Sequence, residues 1–138
     1  MKLNPYLAFD GTCREAFEFY AKAFGGKISF IQTIGESPMA SNSPSDTHSR
    51  VMHVTLEMGD QVLQGADAPP GQFTTPAGFC VATHFEDAAK GERVFNALAQ
   101  NGRVQMPYQA TFWAKGFGML IDQFGTPWIV NADQGIGS

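Results

Sequence analysis

Apolar and polar positions change period in the same order twice along the chain. Cys13, Phe17, Tyr20 and Phe24 recur at the spacing that lines one face of a helix, and the stretch stops at Gly25-Gly26. Ala88, Gly91, Phe95 and Leu98 do the same in the second half, on a helix predicted to run about a turn longer. Asn101-Gly102 supplies its left-handed exit. Thr12 with Glu15, and Thr83 with Glu86, both fit the capping box, in which a Thr oxygen and a Glu carboxylate satisfy backbone N–H groups at a helix start.

Around each helix the period shortens to two, the signature of strands. Residues 26–30 and 102–106 alternate directly after the helices, and residues 3–9 and 79–83 precede them as first strands. Residues 57–63 and 122–129 read as hairpins turning on Gly59 and Gly125. The order is β-α-β-β-β, twice. Residues 68–78 carry three prolines, which remove donors and disfavour helix before them, so they read as a linker between half-modules 1–67 and 79–138 of one domain. Residues 35–49, rich in Ser, Pro and Asn, interrupt the first half and are expected to be either disordered or a lid. The fold class is α+β, built from paired βαβββ modules.

Composition narrows the partners. A chain of 138 residues that is 43% hydrophobic can bury a core without disulfides or a structural metal. The net charge of −4 is scattered, giving no basic footprint for nucleic acid or an anionic membrane. Cys13 and Cys80 lack ligand-like spacing and read as reduced, buried thiols. No signal-peptide pattern and no run of roughly 20 apolar residues is present, so a cytoplasmic location is the expectation.

Residues 5–11 (Pro5 to Gly11) followed by Ala16-Phe17-Glu18-Phe19-Tyr20 resemble the PhnB-like branch of the glyoxalase and bleomycin-resistance (vicinal oxygen chelate) superfamily. The resemblance is most specific at residues 111–118 and 122–131 and covers essentially the whole chain. It implies paired modules forming a curved mixed sheet around a ligand cavity, and a homodimer. Some relatives bear a methyltransferase label. The common nucleotide-binding arrangement for that chemistry needs a Gly-rich turn between a strand and a helix, which neither Gly25-Gly26 nor Gly116-Phe117-Gly118 supplies. The methyltransferase reading is therefore rejected.

Metal-using members of the superfamily take His or Glu ligands from the first and fourth strand of each module. The matching places here hold Asn4 or Pro5, Gln61 and Gln64, Phe79 or Cys80, and residues 128–130. Amides and apolar groups are a poor set for a hard divalent ion, so no cofactor is predicted and the site is expected to hold no metal.

Alternation says what the sheet presents instead. In residues 51–58 the even positions are apolar and suit the helix-packed face, sending His53, Thr55 and Glu57 to the other. Leu3, Leu7 and Phe9 are likewise assigned to the helix side, with Asn4, Tyr6 and Ala8 opposite. His53, an imidazole able to take or give a proton, also recurs at this place in PhnB-like relatives; a His tied to a neighbouring strand is the alternative. His53 and Glu57 are candidate catalytic residues, although on one strand they stand about 13 Å apart. Asp67 and Asp122 read as structural acceptors of backbone N–H groups, and His48 and His84 as local residues. Trp113 suits a ligand wall, while Trp128, Phe112, Phe117 and Phe124 suit the core.

The leading function is binding, or metal-independent conversion, of a small organic molecule lined by Tyr6, His53, Thr55, Gln64 and Trp113. The alternatives are a divalent-metal-dependent lyase, isomerase or dioxygenase using His53 with Glu57, and a non-catalytic structural or interaction module.

Overall fold

The computed structural model describes residues 1–133, which divide into two compact units, the first 1–74 and the second beginning at Thr75. The first runs β1 (Tyr6–Phe9), α1 (Cys13–Phe24), β2 (Lys27–Thr33), β3 (Val51–Met58) and β4 (Gln61–Asp67). Its sheet has the order β1-β4-β3-β2, parallel between β1 and β4 and antiparallel elsewhere. The second runs β5 (Val81–Phe85), α2 (Ala88–Ala99), β6 (Arg103–Gln109), β7 (Ala114–Ile121) and β8 (Pro127–Asp133), with the order β5-β8-β7-β6. The doubled β-α-β-β-β pattern is therefore realised as two mixed four-stranded sheets, each with one helix.

One face of each sheet is dry because the helix covers it. Cys13, Ala16, Phe17 and Tyr20 bury the face of α1 against Leu7, Phe9, Val54, Leu56 and Leu63. Gly91, Val94, Phe95 and Leu98 of α2 pack over a sheet whose buried residues include Leu120, Trp128 and Val130. Trp128 is core as expected, with its indole N–H donating to Asp122 at 2.8 Å. Phe112 is not: it is 92% exposed, because it precedes β7 in the connection from β6. Phe124 is half-buried beside the last turn, and Phe117 half-buried on the face of β7 turned away from α2.

Both helix starts differ from the capping-box expectation. Thr12 makes no side-chain cap. The carboxylate of Asp67, distant in sequence, accepts from the backbone N–H of Gly11 at 2.7 Å and of Cys13 at 3.1 Å. Its second oxygen accepts from Val51 N–H at 2.8 Å, tying the start of α1 to the start of β3. Thr83 lies within β5, its hydroxyl donating to Ile129 O, and α2 is capped by Asp87, which accepts from Ala89 N–H at 2.9 Å. The strand absorbs the residues assigned to the cap, so α2 is 12 residues long, the same as α1. Gly25 and Asn101 do provide the left-handed helix exits.

Two first strands start later than periodicity suggests, at Tyr6 and Val81, leaving Leu3 90% exposed. Residues 35–49 form a loop bonded to itself around two single-turn 3-10 helices, Ala40–Asn42 and Ser45–Thr47. The His48 Nε2 lies 3.0 Å from the carbonyl oxygen of Ala40 and 3.1 Å from that of Ser43, closing the loop. No described helix is long and apolar enough to cross a membrane.

Candidate functional site

On the face of the first sheet turned away from α1, the strand registers align one lateral row. Tyr6 of β1 stands opposite Gln64 of β4, Gln64 opposite Thr55 of β3, and Thr55 opposite Phe30 of β2. Neighbouring strands are about 4.8 Å apart, so the row spans about 14 Å. His53 lies two residues along β3 from Thr55, opposite Gln32.

These side chains are joined. The Tyr6 hydroxyl lies 3.0 Å from His53 Nδ1, His53 Nε2 lies 3.1 Å from the Thr55 hydroxyl, and the Gln64 amide donates to that hydroxyl at 3.4 Å. The Tyr6 ring stacks on the imidazole at 5.6 Å, and Phe30 tilts against it at 5.9 Å. His53 is thus held by two hydroxyls and bracketed by two aromatic rings.

The connected groups allow two complementary proton arrangements. With Nε2 protonated, His53 donates to Thr55 and accepts from Tyr6, leaving the Thr55 hydroxyl proton free to donate outward. With Nδ1 protonated, Thr55 donates to His53 and the Tyr6 hydroxyl proton is free instead. Burial, with a smaller contribution from Cys13, pushes the Tyr6 phenol above its ordinary value, so the tyrosine is a neutral donor or acceptor at neutral pH. The row can therefore present a hydroxyl donor at either of two places without creating charge.

Four of the five expected ligand residues, Tyr6, His53, Thr55 and Gln64, meet in this row. Trp113 belongs to the second unit, where it packs edge-on against Phe117 at 5.4 Å and Phe112 at 4.8 Å. Glu57 is exposed and pairs in register with Lys27 and Val62; both ring nitrogens of His53 are engaged elsewhere, so no His-Glu pair forms. Phe30, and Gln32 opposite His53, stand beside these side chains and were not among the expected residues. The signal was the alternation of β2, hidden because a bulge at Ser29 shifts its pairing with β3. A second irregularity skips Met52 between the pairs Gln32–His53 and Thr33–Val51. As a result Val51 is buried and Met52 is 37% exposed, reversing their expected faces.

The row does not fit a divalent metal. It offers one imidazole, already bonded at both nitrogens, with a phenol, an alcohol and an amide, and no carboxylate. Among the described residues no three His, Cys, Asp or Glu side chains gather in a metal-holding group. Asn4 and Pro5 precede β1, and Gln61 is exposed at the β3–β4 turn.

A family model described as 3-demethylubiquinone-9 3-methyltransferase matches residues 1–131. Protein YjdN of Escherichia coli is 33% identical over 139 residues, 95% of each chain. Among solved structures, protein PA1353 from Pseudomonas aeruginosa is 39% identical with a TM-score of 0.88, covering 96% of this chain and 98% of that one. A PhnB protein from Bacillus cereus is 28% identical with a TM-score of 0.79, covering 96% and 99%. The fosfomycin resistance protein FosX from Listeria monocytogenes, 8% identical with a TM-score of 0.65 over 97% and 94%, shares the fold alone. With its two βαβββ units, its family match and a relative 33% identical over 95% of its length, the chain belongs to the family described as 3-demethylubiquinone-9 3-methyltransferase, and its likeness to the PhnB protein agrees with the PhnB-like resemblance of its sequence.

Proposed function

We propose that the protein binds a small, planar, polar organic molecule on the first sheet, across the row of Tyr6, Gln64, Thr55 and Phe30, without a metal. The observation that carries this reading is the continuous hydrogen-bonded chain from Tyr6 through His53 and Thr55 to Gln64, placed on the sheet face turned away from α1. Such a chain of neutral groups favours a neutral hydroxyl or carbonyl compound, and the rings of Tyr6 and Phe30 give a planar body something to lie against. The same chain lets His53 pass a proton between Tyr6 and Thr55, which is the chemistry open to it if the bound molecule is also converted. A homodimer in the cytoplasm completes the reading.

Methyl transfer, the activity in the family's description, is not part of it. The turn between β1 and α1 does contain Gly11 at a positive φ of 89°, but its N–H and that of Cys13 are both taken by Asp67. The anion at this helix start is the chain's own carboxylate, which occupies the N–H groups of Gly11 and Cys13.

A thermal-shift screen of planar polar fragments, followed by titration calorimetry, tests the proposal. Tyr6→Phe, His53→Ala and Gln64→Ala should each weaken a genuine ligand by roughly twofold to tenfold, the worth of one neutral hydrogen bond. Fragments whose affinity is untouched by all three variants would remove this face as the site.

A further inference from the structure

One side chain of the second unit reaches from the edge of the sheet to the helix. β6 is an edge strand, and all of its residues but Tyr108 are exposed. The Tyr108 hydroxyl donates to the carbonyl oxygen of Ala88, the first residue of α2, at 2.8 Å. The register explains how it gets there. Met106 pairs with Met119 and Gln109 with Phe117, which sets Pro107 and Tyr108 together opposite Gly118. The extra residue is a bulge, and a bulge re-aims a side chain. Here it turns Tyr108 inward across β7 to the helix side.

Glycine clears the path. A Cβ on Gly116 would overlap the Tyr108 ring and hydroxyl, one on Gly91 of α2 would lie 2.7 Å from the hydroxyl oxygen, and one on Gly118 would lie 3.0 Å from the Tyr108 Cα. In the first unit, by contrast, β3 fills its helix side with its own Val54 and Leu56. Phe95 of α2 walls the slot, its ring tilted against that of Tyr108 at 5.6 Å. The slot therefore belongs to α2 and β7, and β6 only supplies the ring that fills it.

The chain around Tyr108 has little else to hold it. Pro107 has no N–H to give to the ladder, and Gln109 and Ala110 are exposed. The connection that follows closes on itself, with Thr111 N–H donating to Ala114 O at 3.0 Å and the Thr111 hydroxyl accepting from Ala114 N–H at 3.1 Å. A segment with so few buried contacts opens more readily than the sheet it borders. We propose that Tyr108 is a releasable strap: the end of β6 from Pro107 to Thr111 lifts away as one local unit when the ring leaves the glycine slot, while α2 and the other strands of the unit stay folded. Release moves the connection that carries Phe112 and Trp113, and leaves a slot with an acceptor, Ala88 O, that an outside phenol fits.

Native-state hydrogen exchange of the full chain at increasing urea tests the strap. The amides of residues 108–111, with Thr111 as the reporter, should exchange through an opening almost independent of urea, whereas those of α2 and β8 should follow urea-dependent global unfolding. Tyr108→Phe keeps the ring and loses the hydrogen bond, and should speed exchange at residues 108–111 about fivefold. Tyr108→Ala empties the slot, so p-cresol, the free tyrosine side chain, should raise the melting temperature of that variant more than toluene, which lacks the hydroxyl. If Tyr108→Ala fails to fold, Tyr108→Phe decides alone. The strap is overturned if residues 108–111 are unprotected in the parent chain, if their exchange depends on urea as that of α2 does, or if Tyr108→Phe leaves it unmoved. Equal effects of p-cresol and toluene on a folded Tyr108→Ala chain would overturn the slot.

Discussion

Asp67 satisfies three backbone N–H groups with one carboxylate, those of Gly11, Cys13 and Val51, and so joins β4 to the beginnings of α1 and β3. Its replacement by Ala leaves all three donors without their partner and should cost roughly 2–4 kcal/mol in denaturant unfolding, with Asn costing less because one carbonyl oxygen survives. Cys13 lies directly beneath this carboxylate and is fully buried. Burial first, and the Asp67 charge second, push its thiol far above the ordinary range. A folded pKa above the unfolded one contributes stability fully present below about pH 8.5 and lost as pH rises beyond it, where only the unfolded thiol ionises. Cys13→Ala should therefore show a shallower loss of stability between about pH 8.5 and 10.5 than the parent chain. Of these residues, a structural Asp67 was legible as a polar residue at a strand end. Its partners were not, since two of the three lie more than 50 positions away in sequence.

At the scale of elements, each helix sits close to its sheet because glycine removes a side chain beneath a phenylalanine. A Cβ on Gly65 would lie 2.7 Å from Phe17 Cε1 and 2.7 Å from the Leu7 carbonyl oxygen. One on Gly118 would lie 2.6 Å from Phe95 Cε2 and 3.0 Å from the Tyr108 backbone. In both places backbone as well as ring must give way, so Gly65→Ala and Gly118→Ala should each destabilise by roughly 1–3 kcal/mol, read as a lowered melting temperature. A control at Gly71, which has open space but a φ of +78°, should be affected through backbone strain without loss of helix packing. Helix faces were legible because buried positions recur with the helical period. Helix starts were not, because a Thr followed three residues later by Glu occurs equally well in β5, where pairing with β8 outweighs a local cap. The bulges at Ser29 and Met52 were invisible for a related reason: a bulge belongs to the pairing of two strands and leaves no period in either one.

The molecule as a whole uses one plan twice and gives each copy different side chains on the face its helix leaves uncovered. The first carries a hydroxyl–imidazole–hydroxyl–amide chain, the second an imidazole and an amide beside two aromatic rings. The repeated β-α-β-β-β order, the hairpin turns at Gly59 and Gly125 and the helix exits at Gly25 and Asn101 were all determined by the sequence itself, because period and turn chemistry are local properties of the chain. So was the membership of Tyr6, His53, Thr55 and Gln64 on one face, since alternation sorts a strand's residues to two sides. What only tertiary structure decided is the register that sets Tyr6, Gln64, Thr55 and Phe30 in a single row and lets His53 bridge two of them. It also decided that Asp67, not Thr12, holds the first helix, and that Asn131 keeps a buried oxygen unpaired. Each of these depends on which residues face each other across strands far apart in sequence, and local preference carries no information about that.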